Sequence, residues 1–259
     1  MNPTDGVLSE AWGYYKAQWR HLIPIALVVY IVLALATLVL ALALTWLGVV
    51  LGLVISIVGA FWVQGALTQA VDDIRDGRAD MTIGDTFTRV QPRLGAIIVA
   101  GLLAGLGIAL GLVLFIVPGL ILLTWWAVLI PVVVLEERSA GESFSRSREL
   151  VRGFGWNVFG VIVLTFLVLI GVSIVLSIVL SPLADWLQGF ISNVVSGTLT
   201  TPFVALVWTL LYFRLKAAKE EAPAAAPAAP ASVAPAAPDA PEAPPQQPPP
   251  SAPQPPDAT

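Results

Sequence analysis

Three stretches of this chain, 22–71, 94–135 and 153–213, are made almost wholly of apolar and small residues, and Asp185 is their only charged side chain. Each far exceeds the roughly 20 residues that one helical crossing of a bilayer needs. A straight helix over the first would be about 75 Å long, against a hydrocarbon core of about 30 Å, so the run must fold back. Trp46-Leu47-Gly48 punctuates the first run and Ser181-Pro182-Leu183-Ala184-Asp185 the third. In the second, Pro118-Gly119 removes a backbone donor and relieves the turn. The pattern predicts an all-α polytopic membrane protein of six transmembrane helices in three hairpins, spanning about 22–45, 48–71, 94–116, 119–136, 157–181 and 187–213.

The segments between these runs have a different period. Over 140–154, Phe144, Ser147, Leu150, Val151 and Phe154 fall on one arc of a helical wheel, with Arg146, Arg148, Glu149 and Arg152 on the other. That predicts a short amphipathic helix in the headgroup layer. Over 82–92, Ile83, Phe87 and Val90 form a similar face, and Thr82 with Asp85 has the spacing of an N-terminal capping box. Gly84-Asp85-Thr86-Phe87-Thr88-Arg89 matches Gly141-Glu142-Ser143-Phe144-Ser145-Arg146 in residue type, position for position. Within 1–21, Leu8, Ala11, Trp12, Tyr15 and Trp19 trace a comparable stripe. These patterns predict three units, each an interfacial helix followed by a membrane hairpin, and internal repeats recur in membrane folds.

Charge orients the arrangement. All 13 lysines and arginines lie in four islands, 16–20, 75–93, 138–152 and 214–219. The islands fall on one side of a six-span layout, and the positive-inside rule makes that side, with both termini, cytoplasmic. Trp19, Trp156, Trp208 and Tyr212 then lie near the inner interface, Trp46 and Trp186 near the outer one, and Trp125 and Trp126 deeper. Arg89, Arg146, Arg148 and Arg152 are the candidate contacts for anionic lipid headgroups. The apolar run starts only after His21 and continues through Ala41–Ala43, so no cleavable leader is expected.

The chain is 57% hydrophobic and 12% charged, and it has no cysteine and one histidine, His21. Thiolate chemistry and any two-histidine metal site are excluded. Neither a Ser/His/Asp set nor a phosphate-cradling glycine loop occurs. The sequence therefore predicts no catalysis and no cofactor. Five of the 17 acids lie beyond Lys219, so acid and base nearly balance before it and no nucleic-acid surface is expected. Asp72, Asp73, Asp76, Asp80 and Asp85 are interleaved with Arg75 and Arg78 and read as a solvated charged loop.

Polar residues within the spans, Gln64, Thr68, Ser173, Ser177, Asn193 and Thr200, are open to two readings. They line a cavity between the fifth and sixth helices, with Pro202 and Pro131 permitting bends, or they serve helix packing. Gly48-x-x-x-Gly52, Gly101-x-x-x-Gly105 and Gly107-x-x-x-Gly111 belong to packing. Segment 214–259 is a cytoplasmic tail, and from about 222 it is mainly Ala and Pro and is expected to be disordered.

The stretch from Gly77 to about Gly160 resembles the membrane domain associated with glycerophosphoryl diester phosphodiesterases. The resemblance rests on Gly77-Arg78, Pro118-Gly119, Pro131, Glu136, Ser145-Arg146-Ser147, Leu150-Val151-Arg152-Gly153 and Trp156, with Phe154-Gly155 less basic than the family pattern. It implies a bacterial inner-membrane protein. In some relatives a catalytic barrel follows this domain; here the Pro/Ala-rich tail follows, so hydrolysis is not carried over. The expected partners are the phospholipid bilayer and a membrane or cytoplasmic protein. The alternative is a facilitator or exporter of a small or lipidic solute.

Overall fold

The computed structural model describes residues 2–76 and 81–224, all of it helix and connecting turns without a strand. Gly77-Arg78, Asp80 and the tail from 225 lie outside the described residues. Helix α1 (Val7–Arg75) is interrupted at Gln18 and again at Thr45, where φ is 51° and ψ −125°. At Thr45 the chain reverses, because the Thr37 and Ser56 hydroxyls meet at 3.3 Å across the corner. Gly48 lies against the Leu40 carbonyl, and a Cβ on Gly52 would sit 2.8 Å from the Thr37 side chain. The corner thus precedes Trp46-Leu47-Gly48, since Gly48 is needed beyond it for close approach.

A short helix α2 (Ile83–Val90) leads through a 3-10 turn (Gln91–Arg93) into α3 (Leu94–Leu114). Phe115 is extended and caps α4 (Ile116–Trp125). Pro118 therefore sits in the first turn of α4, where its missing N–H lacks an intrahelical partner anyway, and not at a break. Gly111 and Gly119 bring the α3 and α4 backbones together: a Cβ on Gly111 would lie 2.9 Å from Gly119 Cα.

After α4, residues 126–128 form a turn before α5 (Leu129–Leu135). Pro131 accounts for that break, because its ring excludes the Ala127 carbonyl and it donates no hydrogen bond. Then come α6 (Ala140–Val151), α7 (Gly155–Leu180) and α8 (Asp185–Ala224), which runs past residue 213 into the basic island without interruption.

Five segments of the described chain are long and apolar enough to cross a membrane, α1 with its reversal counting as one. Their outer faces are apolar: Leu42, Val113, Phe115 and Ile178 are among many large hydrophobic residues left exposed. Hydrocarbon, not water, suits that surface. The protein core is concentrated away from the corners at Thr45 and Phe115. It joins Leu22, Ile25, Val63, Leu67 and Val71 to Val128, Val132, Leu206, Leu211 and Leu215. A smaller cluster unites Val90, Ile97, Leu129 and Val133.

Gly111→Val should destabilise the detergent-solubilised protein by about 1–3 kcal/mol, the usual cost of overpacking a tight contact. Gly105→Val should leave it unchanged in the same unfolding titration, since nothing lies within 4 Å of a Cβ there.

Candidate functional site

The two short helices start in the same way. Thr82 and Asp85 form a reciprocal capping box on α2, and Ser139 and Glu142 form one on α6. One residue after each acid a hydroxyl bonds back to the cap carbonyl, Thr86 to Thr82 at 2.9 Å and Ser143 to Ser139 at 2.8 Å. Within each box the cap residue, Thr82 or Ser139, donates to the acid, and these bonds hold the Asp85 and Glu142 carboxyls below the usual carboxylate range, through its hydroxyl first and its backbone N–H second. The aromatic that follows docks on an earlier tryptophan: Phe87 meets Trp62 edge-on at 5.4 Å, and Phe144 meets Trp126 at 4.9 Å. The repeat visible in the sequence is therefore repeated in contacts.

The apolar faces of these helices are buried against the bundle. Thr86, Val90, Leu150 and Val151 are buried, as are Val7 and Ala11 on the first segment of α1. That segment packs on α8, with Trp12 and Tyr15 around Phe203 and the Tyr15 hydroxyl donating to the Leu199 carbonyl at 3.1 Å. These apolar faces are covered by protein, and for α6 the α4–α5 break opens the place it occupies. The break frees the Trp125 carbonyl, since Leu129 N–H bonds to Trp126 instead, and the buried Ser147 hydroxyl donates to it at 2.8 Å.

Glu136, at the end of α5, is the electrostatic centre of this region. Its carboxylate accepts from Arg138 Nε at 2.7 Å, Arg146 Nε at 3.1 Å and the Tyr212 hydroxyl at 3.1 Å. Arg146 also pairs with Glu149 at 3.0 Å. Burial pushes the Glu136 carboxyl up, but the bonds from Arg146 and Arg138 outweigh it and hold the group below the ordinary value. The end of α8 and its flanking basic residues tie in other segments: Arg214 bonds to Glu10 and the Asp5 carbonyl, Lys219 to the Arg152 carbonyl at 2.8 Å, and Arg75 lies over the Phe213 ring at 3.9 Å.

The lipid-headgroup candidates separate into two kinds. Arg146 is committed to Glu136 and Glu149. Arg89, Arg148 and Arg152 are exposed, and Arg148 stacks on Trp125 at 4.2 Å. Of the cavity candidates, Asn193 and Thr200 line one depression of about 470 Å³ together with Tyr30 and Ser196. Tyr30 and Asn193 also border an adjoining depression of about 520 Å³ that contains Thr37 and Ser56. Both lie between α1 and α8. Ser173 and Ser177 are exposed on α7 and border neither. Gln64 borders neither as well, and its carbonyl accepts the Thr68 hydroxyl at 2.9 Å.

The sequence pattern gives Tyr30 no role and places Tyr212 only in the interfacial aromatic belt. A hydroxyl on the apolar arc of α6 was the one visible signal for Ser147. Among the described residues no group of three or more Asp, Glu or His side chains is placed to hold a metal ion. No family model, no curated protein and no solved structure matches this chain.

Because its pKa is depressed in the fold, Glu136 contributes stability that is full above about pH 4.5 and is lost as pH falls through the lower folded value. Glu136→Gln should cost on the order of 1–2 kcal/mol at pH 7, between exposed and buried pairs. Thermal unfolding of both proteins at pH 7 and pH 4 should show the difference shrinking at the lower pH.

Proposed function

We propose that this chain is a non-catalytic, six-span protein of a bacterial inner membrane that engages anionic phospholipid through a cytoplasmic collar of docked amphipathic helices. Six spans are supported by the five apolar segments together with the reversal at Thr45, which divides α1 in two. Three hairpins, each preceded by an interfacial helix, make a threefold internal repeat. The resemblance to the membrane domain associated with glycerophosphoryl diester phosphodiesterases agrees with that layout and is part of the same proposal.

The observation that carries the reading is the stacking of collar cations on interfacial aromatics. Lys16 lies over Trp12, Arg20 over Trp19, Arg148 over Trp125 and Lys219 over Phe154, at 4.2–5.9 Å. Such stacking fixes a cation at the level where ring and headgroup both reside. Each exposed lysine or arginine near an anionic leaflet is worth about 1 kcal/mol of attraction, so several together discriminate strongly against neutral lipid.

A second reading, passage of a small or lipidic solute, draws support from the adjoining depressions around Tyr30 and Asn193. Their hydroxyl and amide lining offers hydrogen bonds without charge, which suits a neutral polar group.

Two measurements test these readings. A membrane-impermeant thiol reagent applied to intact cells should label a cysteine at Trp46, in the turn between the first two spans, and spare one at Thr88, in a chain with no native cysteine; the reverse pattern overturns the orientation. Replacing Arg89, Arg148 and Arg152 together with glutamine should lower retention of phosphatidylglycerol by about tenfold or more, given about 1 kcal/mol per cation. Phosphatidylcholine retention should stay unchanged.

A further inference from the structure

We infer that the groove between α4 and α7 is a seat for one anionic glycerophospholipid, with an acyl chain along the groove and the phosphate at Arg148 and Arg152. This inference rests on the collar reading above and deepens it. The groove encloses about 480 Å³, between Val117, Leu120, Ile121 and Trp125 on one wall and Trp156 and Phe159 on the other. The hydroxyl of Thr124, which also borders it, donates to the Leu120 carbonyl at 2.8 Å and offers the groove no free donor. Its walls are therefore apolar, as a hydrocarbon chain requires.

Length and position point the same way. From Val117 to Trp125 the α4 wall rises about 12 Å, close to the half-thickness of a hydrocarbon core of about 30 Å. The groove is thus long enough for most of one leaflet's chain. Trp125 and Trp156 border it, the latter almost wholly exposed, and the exposed Arg148 over Trp125 marks that end as the polar one, nearer the surface than the sequence layout puts Trp125.

Charge decides the headgroup. The Arg148 guanidinium lies 4.2 Å over the Trp125 ring that forms the groove's end. Over the ring the guanidinium keeps N–H groups that the ring does not take up, and these can donate two bonds to phosphate. Arg152 follows one turn later, beside the start of α7 at Gly155. Among the described residues neither Arg148 nor Arg152 forms an ion pair, whereas neighbouring Arg146 is fully engaged with Glu136 and Glu149. Two uncompensated cations suit a phospholipid without a headgroup amine. A zwitterionic lipid would place its ammonium against them.

The full chain, purified in mild detergent with phosphatidylglycerol or phosphatidylcholine, is examined by native mass spectrometry at rising activation energy. The wild type should keep one phosphatidylglycerol after all other lipids are stripped. Ile121→Trp, which fills the groove from an exposed position, and Arg148→Gln should each reduce that species at least fivefold. Val179→Trp, at an exposed position about 30 Å along α7 from Phe159, should not. Overall phosphatidylglycerol preference that survives while both groove variants keep the last lipid overturns the seat alone. Equal retention of the two lipids by the wild type overturns the collar reading and the charge assignment together. Two variants from different walls of the argument guard against a folding defect in either one.

Discussion

A backbone carbonyl released inside a nonpolar surrounding has no water to accept from, and this structure is organised around one such carbonyl. Pro131 prevents a continuous helix from 116 to 135, and the turn at 126–128 leaves the Trp125 oxygen without its helical donor. An unpaired buried carbonyl costs about 1–3 kcal/mol. Ser147 supplies the donor from another helix, which commits α6 to a single position beneath the break. Once α6 is there, Phe144 meets Trp126, Arg146 reaches Glu136 and Arg148 reaches Trp125. Arg148, exposed on α6, owes its placement to a hydrogen bond it does not make.

The ion pairs around Glu136 follow from the same geometry. A carboxylate with a side chain about 10% exposed at the edge of a hydrocarbon slab loses much of its hydration, and a lone partner seldom restores it. Here Arg138, Arg146 and Tyr212 share the task, each from a different part of the chain. The arrangement ties α5, α6 and α8 together where the apolar core ends. Arg146 is accordingly a structural cation, while Arg148 and Arg152 beside it stay exposed.

Much of this was legible in the sequence because exclusion of charge from hydrocarbon writes long, unambiguous runs. The apolar stretches, the amphipathic helices and the capping box at Thr82 are local patterns, and the helices appear where those patterns lie. Corners were less legible. Pro118-Gly119 reads as a turn, yet Phe115 turns and the proline starts a helix, because proline suits both. Partners were not legible at all. Nothing in the spacing of Arg146 and Arg148 says that one finds Glu136 and the other a tryptophan ring. Likewise Ser173, Ser177 and Asn193 look alike as polar residues in apolar spans, but only Asn193 turns toward a depression.

The distribution of packing also explains why polar depressions occur where they do. Side chains interlock around Leu67, Val132 and Leu211, while the residues flanking the corner at Thr45 stay largely exposed. Tyr30 stands at the transition: its hydroxyl bonds Thr201 at 2.8 Å, and its ring packs on Gly197. Beyond it, Thr37, Ser56 and Asn193 border open volume. A β-branched or larger residue at 197 would displace the Tyr30 ring, so the glycine sets how near α8 approaches α1. Close contact at that level and separation beyond it arise from one small residue, which makes the width of the depressions a property of packing at Gly197 and not of the polar groups that line them.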